Sequence, residues 1–302
     1  MADGQSFKQI MKNIRIIPRL DIKGPNLVKG IHLEGLRVLG KPEQYAKYYY
    51  ETGADELIYM DIVASLYGRN SLLNIIEKTA REIFIPLTVG GGLRTIADIN
   101  NVLRAGADKV AINTAAIRNP AFIKEAANRF GSSTILISIE AIKQSDGLYY
   151  AFTDNGREYT GKEVVAWAKE AASFGAGEIL LTCVDNEGAG FGYDSNLVRQ
   201  VSEAVNIPVI ACGGAGKPED LAKVIGEGKA DAVCLSSMLH YDYIEHHKVE
   251  GDFSAEGNIE FLKSREIFKK IKSTDLKTIK TFLFDAGICC RHELSANLMR
   301  AI

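Results

Sequence analysis

No apolar run in this 302-residue chain approaches the ~18 residues that a membrane span requires. The polar opening MADGQSFKQIMKN lacks the apolar core of a secretion signal. Charge of one sign is not in surplus either: 36 Lys and Arg stand against 38 Asp and Glu, a formal net charge of −2. That balance argues against a nucleic-acid grip built on excess positive charge. Cysteine is scarce and unpatterned. The five residues Cys183, Cys212, Cys234, Cys289 and Cys290 are an odd set with no CxxC and no Cys/His ligand spacing. They read as reduced thiols, not as a disulfide frame or a metal site. These absences leave a soluble, cytoplasmic α/β protein, with no metal, no cofactor, no nucleic-acid partner and no membrane partner expected. The hydrophobic fraction of 46% is ample for a core, and α/β barrels reach roughly 250 residues as one domain.

Short apolar, β-branched runs are present in number. They are Ile14–Leu20, Glu56–Asp61, Ile85–Val89, Lys109–Ile112, Thr134–Ile139, Glu178–Thr182, Ile207–Cys212 and Asp231–Leu235. Helical patterns separate most of them, at Gln44–Thr52, Leu72–Arg81, Ile96–Ala105, Pro120–Phe130, Gly161–Phe174, Asn196–Ala204 and Pro218–Gly226. Runs this apolar suit strands covered on both faces, and strand–helix alternation gives a parallel sheet. Eight such strands predict closure into a (β/α)8 barrel. A doubly wound open sheet is the competitor, but no GxGxxG opens a helix after the first strand.

An internal repeat favours the barrel. The segment IPLTVGGGLRTIADINNVLRAGADKVAINTAAI, from Ile85, is echoed by IPVIACGGAGKPEDLAKVIGEGKADAVCLSSML, from Ile207. Fainter echoes pair ELIYMDIVAS with EILLTCVDNEG and RIIPRLDIK with TILISIEAIK. Two similar four-strand halves close naturally into a barrel with approximate two-fold symmetry, whereas an open sheet would expose their matching edges.

Barrel enzymes place their chemistry at the carboxyl ends of the strands. Those ends carry Asp21 and its repeat partner Glu140, then Asp61 and Asp185. They also carry Gly90-Gly91-Gly92 with Asn113-Thr114, and Gly213-Gly214 with Ser236-Ser237. Small residues at strand ends let backbone N–H groups approach an anion closely. Two symmetric sets imply an elongated ligand with a phosphate at each end, and tight βα turns are the plainer alternative. Asp21 and Glu140 face each other between the sets, where paired carboxylates can divide acid and base roles. A salt bridge from Asp21 to Lys23 or Lys29 is compatible with that role. Asp61 and Asp185 read as backbone-orienting groups and His240 as structural. At the opposite end, Arg15, Glu56, Lys109 and Glu178 each start a strand. Charges at the entrance of a packed core are costly unless paired, so the four form a closed ring, either a capping salt-bridge ring or a gate for a small molecule.

IIPRLDIK, LVKGI, ADELIYMDIVAS, IPLTVGGGLR, GADKVAINTAAI, GAGEILLT and IPVIACGGAGKPED resemble the cyclase subunit of imidazole glycerol phosphate synthase, the HisF family. The likeness runs from about Ile14 to about Tyr241, with a weaker tail at Asp275–Cys290. It implies a lyase of histidine biosynthesis that forms a heterodimer with a glutaminase (HisH-type) subunit. Ammonia released at the barrel floor would cross to a bis-phosphorylated aminoimidazole carboxamide ribonucleotide at the top. Imidazole glycerol phosphate and aminoimidazole carboxamide ribotide would result. The resemblance makes Arg15, Glu56, Lys109 and Glu178 an ammonia gate. It puts phosphate contacts on Gly92, Asn113 and Thr114 at one end, and on Gly188, Gly214, Ser236 and Ser237 at the other. It makes Asp21 the general acid/base, with Glu140 assisting ring closure.

The chain departs from the family pattern at the mouth. The strand-5 aspartate is Glu140, Asp-Gly-Thr is Glu187-Gly188-Ala189, a serine is Cys212 and the first-strand cysteine is Arg19. A charged insert at about 245–272 precedes the last helix, and 1–13 reads as an extension before a single barrel spanning 14–302. Relatives of this cyclase are associated with acetamidino modification of lipopolysaccharide sugars, so an ammonia conduit or synthase for that purpose is the alternative. Those relatives often lack the first aspartate, which is present here as Asp21. A related phosphosugar isomerase shares the half-barrel symmetry but needs no ammonia path.

Overall fold

A computed structural model of the chain describes residues 12–64, 72–249, 253 and 270–291. The extension 1–13, apart from its last two residues, and most of the 245–272 insert lie outside the described residues. Twelve strands make one sheet: β1 (Arg15–Lys23), β2 (Asn26–Ile31), β3 (Glu34–Gly40), β4 (Leu57–Asp61), β5 (Leu87–Gly90), β6 (Lys109–Ile112), β7 (Ile135–Lys143), β8 (Tyr149–Thr153), β9 (Glu158–Glu163), β10 (Glu178–Cys183), β11 (Val209–Cys212) and β12 (Ala232–Leu235). Eight of them, β1, β4, β5, β6, β7, β10, β11 and β12, run parallel, and pairing of β10 with β7 and of β12 with β1 closes the barrel. The (β/α)8 expectation is met.

The other four strands are antiparallel additions that the apolar pattern did not announce. β1 continues into β2 and β3, and β7 continues into β8 and β9. The additions fall at equivalent places in the two halves, so the internal symmetry extends beyond the repeat. As a result, Asp21 and Glu140 lie within long strands of nine residues each, not after them. The expected helix over Gly161–Phe174 also shortens, because 161–163 belongs to β9. The helix is Val164–Ser173, started by Glu163, whose carboxylate accepts the N–H groups of Val165 and Ala166.

The remaining helices follow local signals. Thr95 and Asp98 form a reciprocal capping box that opens Ile96–Arg104, and Pro218 starts Pro218–Gly226 at a position where its missing N–H costs nothing. Asp275 caps Leu276–Asp285, whose Leu276, Ile279 and Leu283 are buried. Beyond that helix, Ile14 bridges Cys290, tying the chain's last described turn to the barrel floor.

Two separate cores result. The larger lies between the strands and the helices. The smaller fills the barrel lumen with Ile17, Ile58, Ala111, Leu136, Leu180, Ile210, Ala232 and Cys234, from seven different strands. Period-two alternation along each strand produces this layering. On β1, Arg15 lies at the floor, Ile17 in the apolar layer, Arg19 above it and Asp21 at the mouth. Full burial of each aliphatic side chain contributes roughly 1.5–3 kcal/mol.

Candidate active site

The four floor charges meet as the sequence implies. Arg15 Nη1 donates to Glu56 Oε1 at 2.6 Å, and Nη2 donates to Glu178 Oε1. Lys109 Nζ reaches Glu56 Oε2 at 3.1 Å and Glu178 Oε2 at 3.2 Å. Each acid is bridged by both cations, so the ring is closed and electrically neutral. Directly above it lies the apolar layer.

At the mouth, β6 and β12 end in matching geometry. Asn113 has φ −122° and ψ −87° before the helix Thr114–Arg118, and Ser236 has φ −127° and ψ −72° before Ser237–His246. Neither side chain caps its helix. A cavity of about 280 Å³ adjoins the first of these turns, lined by Gly91, Gly92, Asn113, Thr114, Ser138 and Glu140 among others. A cleft of about 10 Å³ adjoins the second, lined by Gly188, Gly213, Gly214, Ser236 and Ser237. Gly214, at φ +118°, packs so closely that a Cβ there would stand 2.1 Å from the Gly192 carbonyl oxygen. The two sets of small residues therefore lie apart, one beside an open cavity and one beside a narrow cleft.

Asp21 and Glu140 differ in environment. Asp21 is 2% exposed, and both its oxygens are engaged: Oδ1 accepts from Arg19 Nε at 2.7 Å, and Oδ2 lies 3.4 Å from Lys29 Nζ. Burial alone would raise its pKa, but Arg19 and then Lys29 outweigh that and hold it below the usual carboxylate value. Lys29 in turn donates to Glu187. Glu140 lines the open cavity, and its Oε2 accepts the Gly156 N–H at 2.7 Å. Desolvation pushes its carboxyl up to about 7, against the opposing pull of that N–H and of Arg19.

Of the two salt-bridge partners foreseen for Asp21, Lys29 is the one used, while Lys23 is exposed. Asp61 orients backbone by accepting from Val63 and Ala64, and Asp185 does the same for Lys143. His240 is buried against Tyr49. All five cysteines are free thiols. No group of acids, histidines and cysteines that could hold a metal ion occurs among the described residues, and no described helix is long and apolar enough to cross a membrane.

Sequence reasoning foresaw the Asp21–Lys29 link but missed Arg19 and Glu187, which extend it into a buried chain Arg19–Asp21–Lys29–Glu187 drawn from β1, β2 and the turn after β10. It also missed the β8–β9 turn, which brings Asp154 and Asn155 to the cavity wall. Polar side chains flanking a glycine in the run TDNGRE were the available signal.

The fold and its mouth define a (β/α)8 barrel with internal two-fold symmetry, a charged floor ring and two small-residue turns at the strand ends. Residues 15–245 match the family described as "Histidine biosynthesis protein". The chain is 60% identical over 210 residues to "Imidazole glycerol phosphate synthase subunit HisF" of Legionella pneumophila, covering 70% of this chain and 99% of that protein. It is 46% identical over 230 residues to the subunit of the same name from Alkaliphilus metalliredigens (strain QYMF), covering 76% of this chain and 91% of that protein. The chain belongs to the histidine biosynthesis protein family and, within it, to the imidazole glycerol phosphate synthase subunit HisF group.

Proposed function

We propose that this chain is the ammonia-dependent cyclase subunit of a cytoplasmic glutamine amidotransferase complex in histidine biosynthesis. It converts a bis-phosphorylated aminoimidazole carboxamide ribonucleotide to imidazole glycerol phosphate and aminoimidazole carboxamide ribotide. The observation that carries this reading is the stacking of three layers in one lumen: a closed charge ring, an apolar layer and a mouth bearing Asp21 and Glu140.

Each layer has a task in such a reaction. Ammonia is a nucleophile only when neutral, and an apolar interior favours the neutral form over ammonium. The ring of Arg15, Glu56, Lys109 and Glu178 separates that interior from the floor, where a HisH-type glutaminase would dock to form the heterodimer. The substrate's two phosphates would rest on Gly92, Asn113 and Thr114 at one end and on Gly188, Gly214, Ser236 and Ser237 at the other. Asp21 and Glu140, between them, supply the charge and proton transfers that nitrogen addition and ring closure require. The domain reading is a single barrel over 14–302, preceded by 1–13 and carrying a charged insert at about 245–272 before the last helix.

The test uses the isolated chain, the ribonucleotide and ammonium salts without a glutaminase. Turnover that disappears in Asp21→Asn supports the cyclase. No turnover despite tight glutaminase binding would sink it in favour of an ammonia conduit for acetamidino transfer to a sugar.

A further inference from the structure

Arg19 is 3% exposed and sits inside the barrel, one layer above Ile17. Its guanidinium reaches across the lumen: Nε donates to Asp21 Oδ1 at 2.7 Å, and Nη1 lies 3.3 Å from Thr182 Oγ1 on β10 and 3.6 Å from Cys212 Sγ on β11. Three strands thus fix one planar cation beneath the mouth. Arg19, Asp21, Lys29 and Glu187 are all at most 4% exposed and sum to zero charge. Removing one partner from such a buried network leaves an uncompensated charge, and Arg19 and Lys29 together hold Asp21 ionised.

The two mouth carboxyls consequently differ in what they can do. Both oxygens of Asp21 are occupied by cations. Among the described residues no cation lies within salt-bridge distance of Glu140, which faces the cavity of about 280 Å³. A carboxylate flanked by a guanidinium and an ammonium group is a poor resting place for a proton. A half-desolvated carboxyl in a cavity wall is a good one.

We propose that Arg19 is a positioning residue for the cyclase reaction, fixing Asp21 as a permanent anion and leaving Glu140 as the carboxyl that carries the proton. This rests on the cyclase reading of the site. As the ammonia nitrogen bonds to the substrate carbonyl carbon, the C=O π pair moves to oxygen and takes the proton of neutral Glu140. The nitrogen, now positively charged, returns a proton to the Glu140 carboxylate. Glu140 ends as it began, while the fixed anion of Asp21 stabilises the cationic nitrogen. The charged and titratable groups facing Asp21 are Arg19, Lys29 and His240, the last kept neutral by burial. Those acting on Glu140 are Arg19 and Asp154, with the Asn113 amide beside it.

The decisive measurement is carboxyl 13C NMR between pH 4.5 and 8, with Asp21→Asn assigning the Asp21 signal, alongside ammonia-dependent turnover of Arg19→Met and Arg19→Lys. In the wild-type protein the Asp21 signal is expected to stay flat and the Glu140 signal to titrate. In Arg19→Met, Asp21 gains a titration in this range and kcat falls about tenfold or more with little change in KM. Arg19→Lys, which keeps a cation, restores the flat signal. An Asp21 signal that titrates in the wild-type protein, or Arg19→Met with an unchanged signal and kcat, overturns the proposal. The wild-type titration needs no variant at Arg19, so a poorly folding Arg19→Met does not blunt the test. A wild-type chain that titrates as expected but turns over no ribonucleotide defeats the cyclase reading instead.

Discussion

The hydroxyl of Tyr49 lies 2.6 Å from Nδ1 of His240, joining the helix Pro42–Glu51 to the helix Ser237–His246. The rings stack at 5.8 Å between centroids, and Tyr45 meets the same imidazole edge-on at 5.6 Å. Both partners of the hydrogen bond are fully buried. Tyr49→Phe leaves a buried ring nitrogen without its partner and should cost about 1–3 kcal/mol in chemical denaturation. A loss indistinguishable from zero would mean that water replaces the hydroxyl.

His240 and Glu140 make opposite demands on pH. Burial, then Lys29, lowers the imidazole to about 3, so the folded protein excludes a proton that the unfolded chain binds below about 6.5. Its contribution is present above that value and is lost as pH falls. Glu140, raised to about 7, binds a proton in the folded state that the unfolded chain has released above about 4.5. Its contribution is present at low pH and is lost as pH rises through 7. Between pH 7 and pH 5 the two effects are each on the order of 2 kcal/mol and opposed in sign. Glu140→Gln removes one of them. It should therefore lose stability toward pH 5 more steeply than the wild-type protein in urea titrations, and parallel curves would count against a proton on Glu140.

The eight barrel strands are legible in the sequence because each is buried on both faces and reads as a continuous apolar run. Two of the antiparallel additions, β3 and β9, were not, for the complementary reason. β9 is exposed or half-exposed throughout, and β3 is open along its first half, so their residues look like loop. At the site, the positions of Asp21 and Glu140 follow from strand alternation alone. Lys29 was one of the two partners the sequence offered for Asp21, but Glu187, which takes the other side of Lys29, comes from the turn after β10, a contact that exists only once the barrel closes. Arg19 stands out in sequence as a charge inside an apolar run, but its direction across the lumen is a property of the folded strands.

The floor ring gives a prediction that separates passage of ammonia from chemistry. Glu178 accepts from Arg15 and also binds Lys109. Glu178→Ala leaves both cations leaning on Glu56 alone and opens the ring on one side. With ammonium salts, nitrogen reaches the mouth from bulk solvent and turnover should stay within about threefold of wild type. With glutamine and the partner glutaminase, turnover should fall by about tenfold or more, since the reaction then depends on the floor. An equal fall in both assays would place Glu178 in the chemistry or the folding, and not in the passage.

The narrow cleft at the second turn tests the two-phosphate reading. Gly214 Cα packs on the Gly192 carbonyl, and the Gly192 N–H donates to the Gly214 carbonyl at 2.8 Å. A methyl group at 214 cannot fit without displacing backbone, and the positive φ adds strain of its own. Gly214→Ala should therefore deform the cleft formed with Gly188, Ser236 and Ser237 while leaving the cavity at Glu140 untouched. A phosphate far from the reacting carbon is held about equally in ground and transition states. Losing its seat raises KM, by about tenfold or more, with kcat little changed. Gly53→Ala is the control: Gly53 also has a positive φ, at +99°, but a Cβ there meets nothing within 4 Å. It should lower thermal stability and leave KM where it was. A matching rise in KM for both variants would mean that backbone strain, and not the second phosphate seat, accounts for the effect at Gly214.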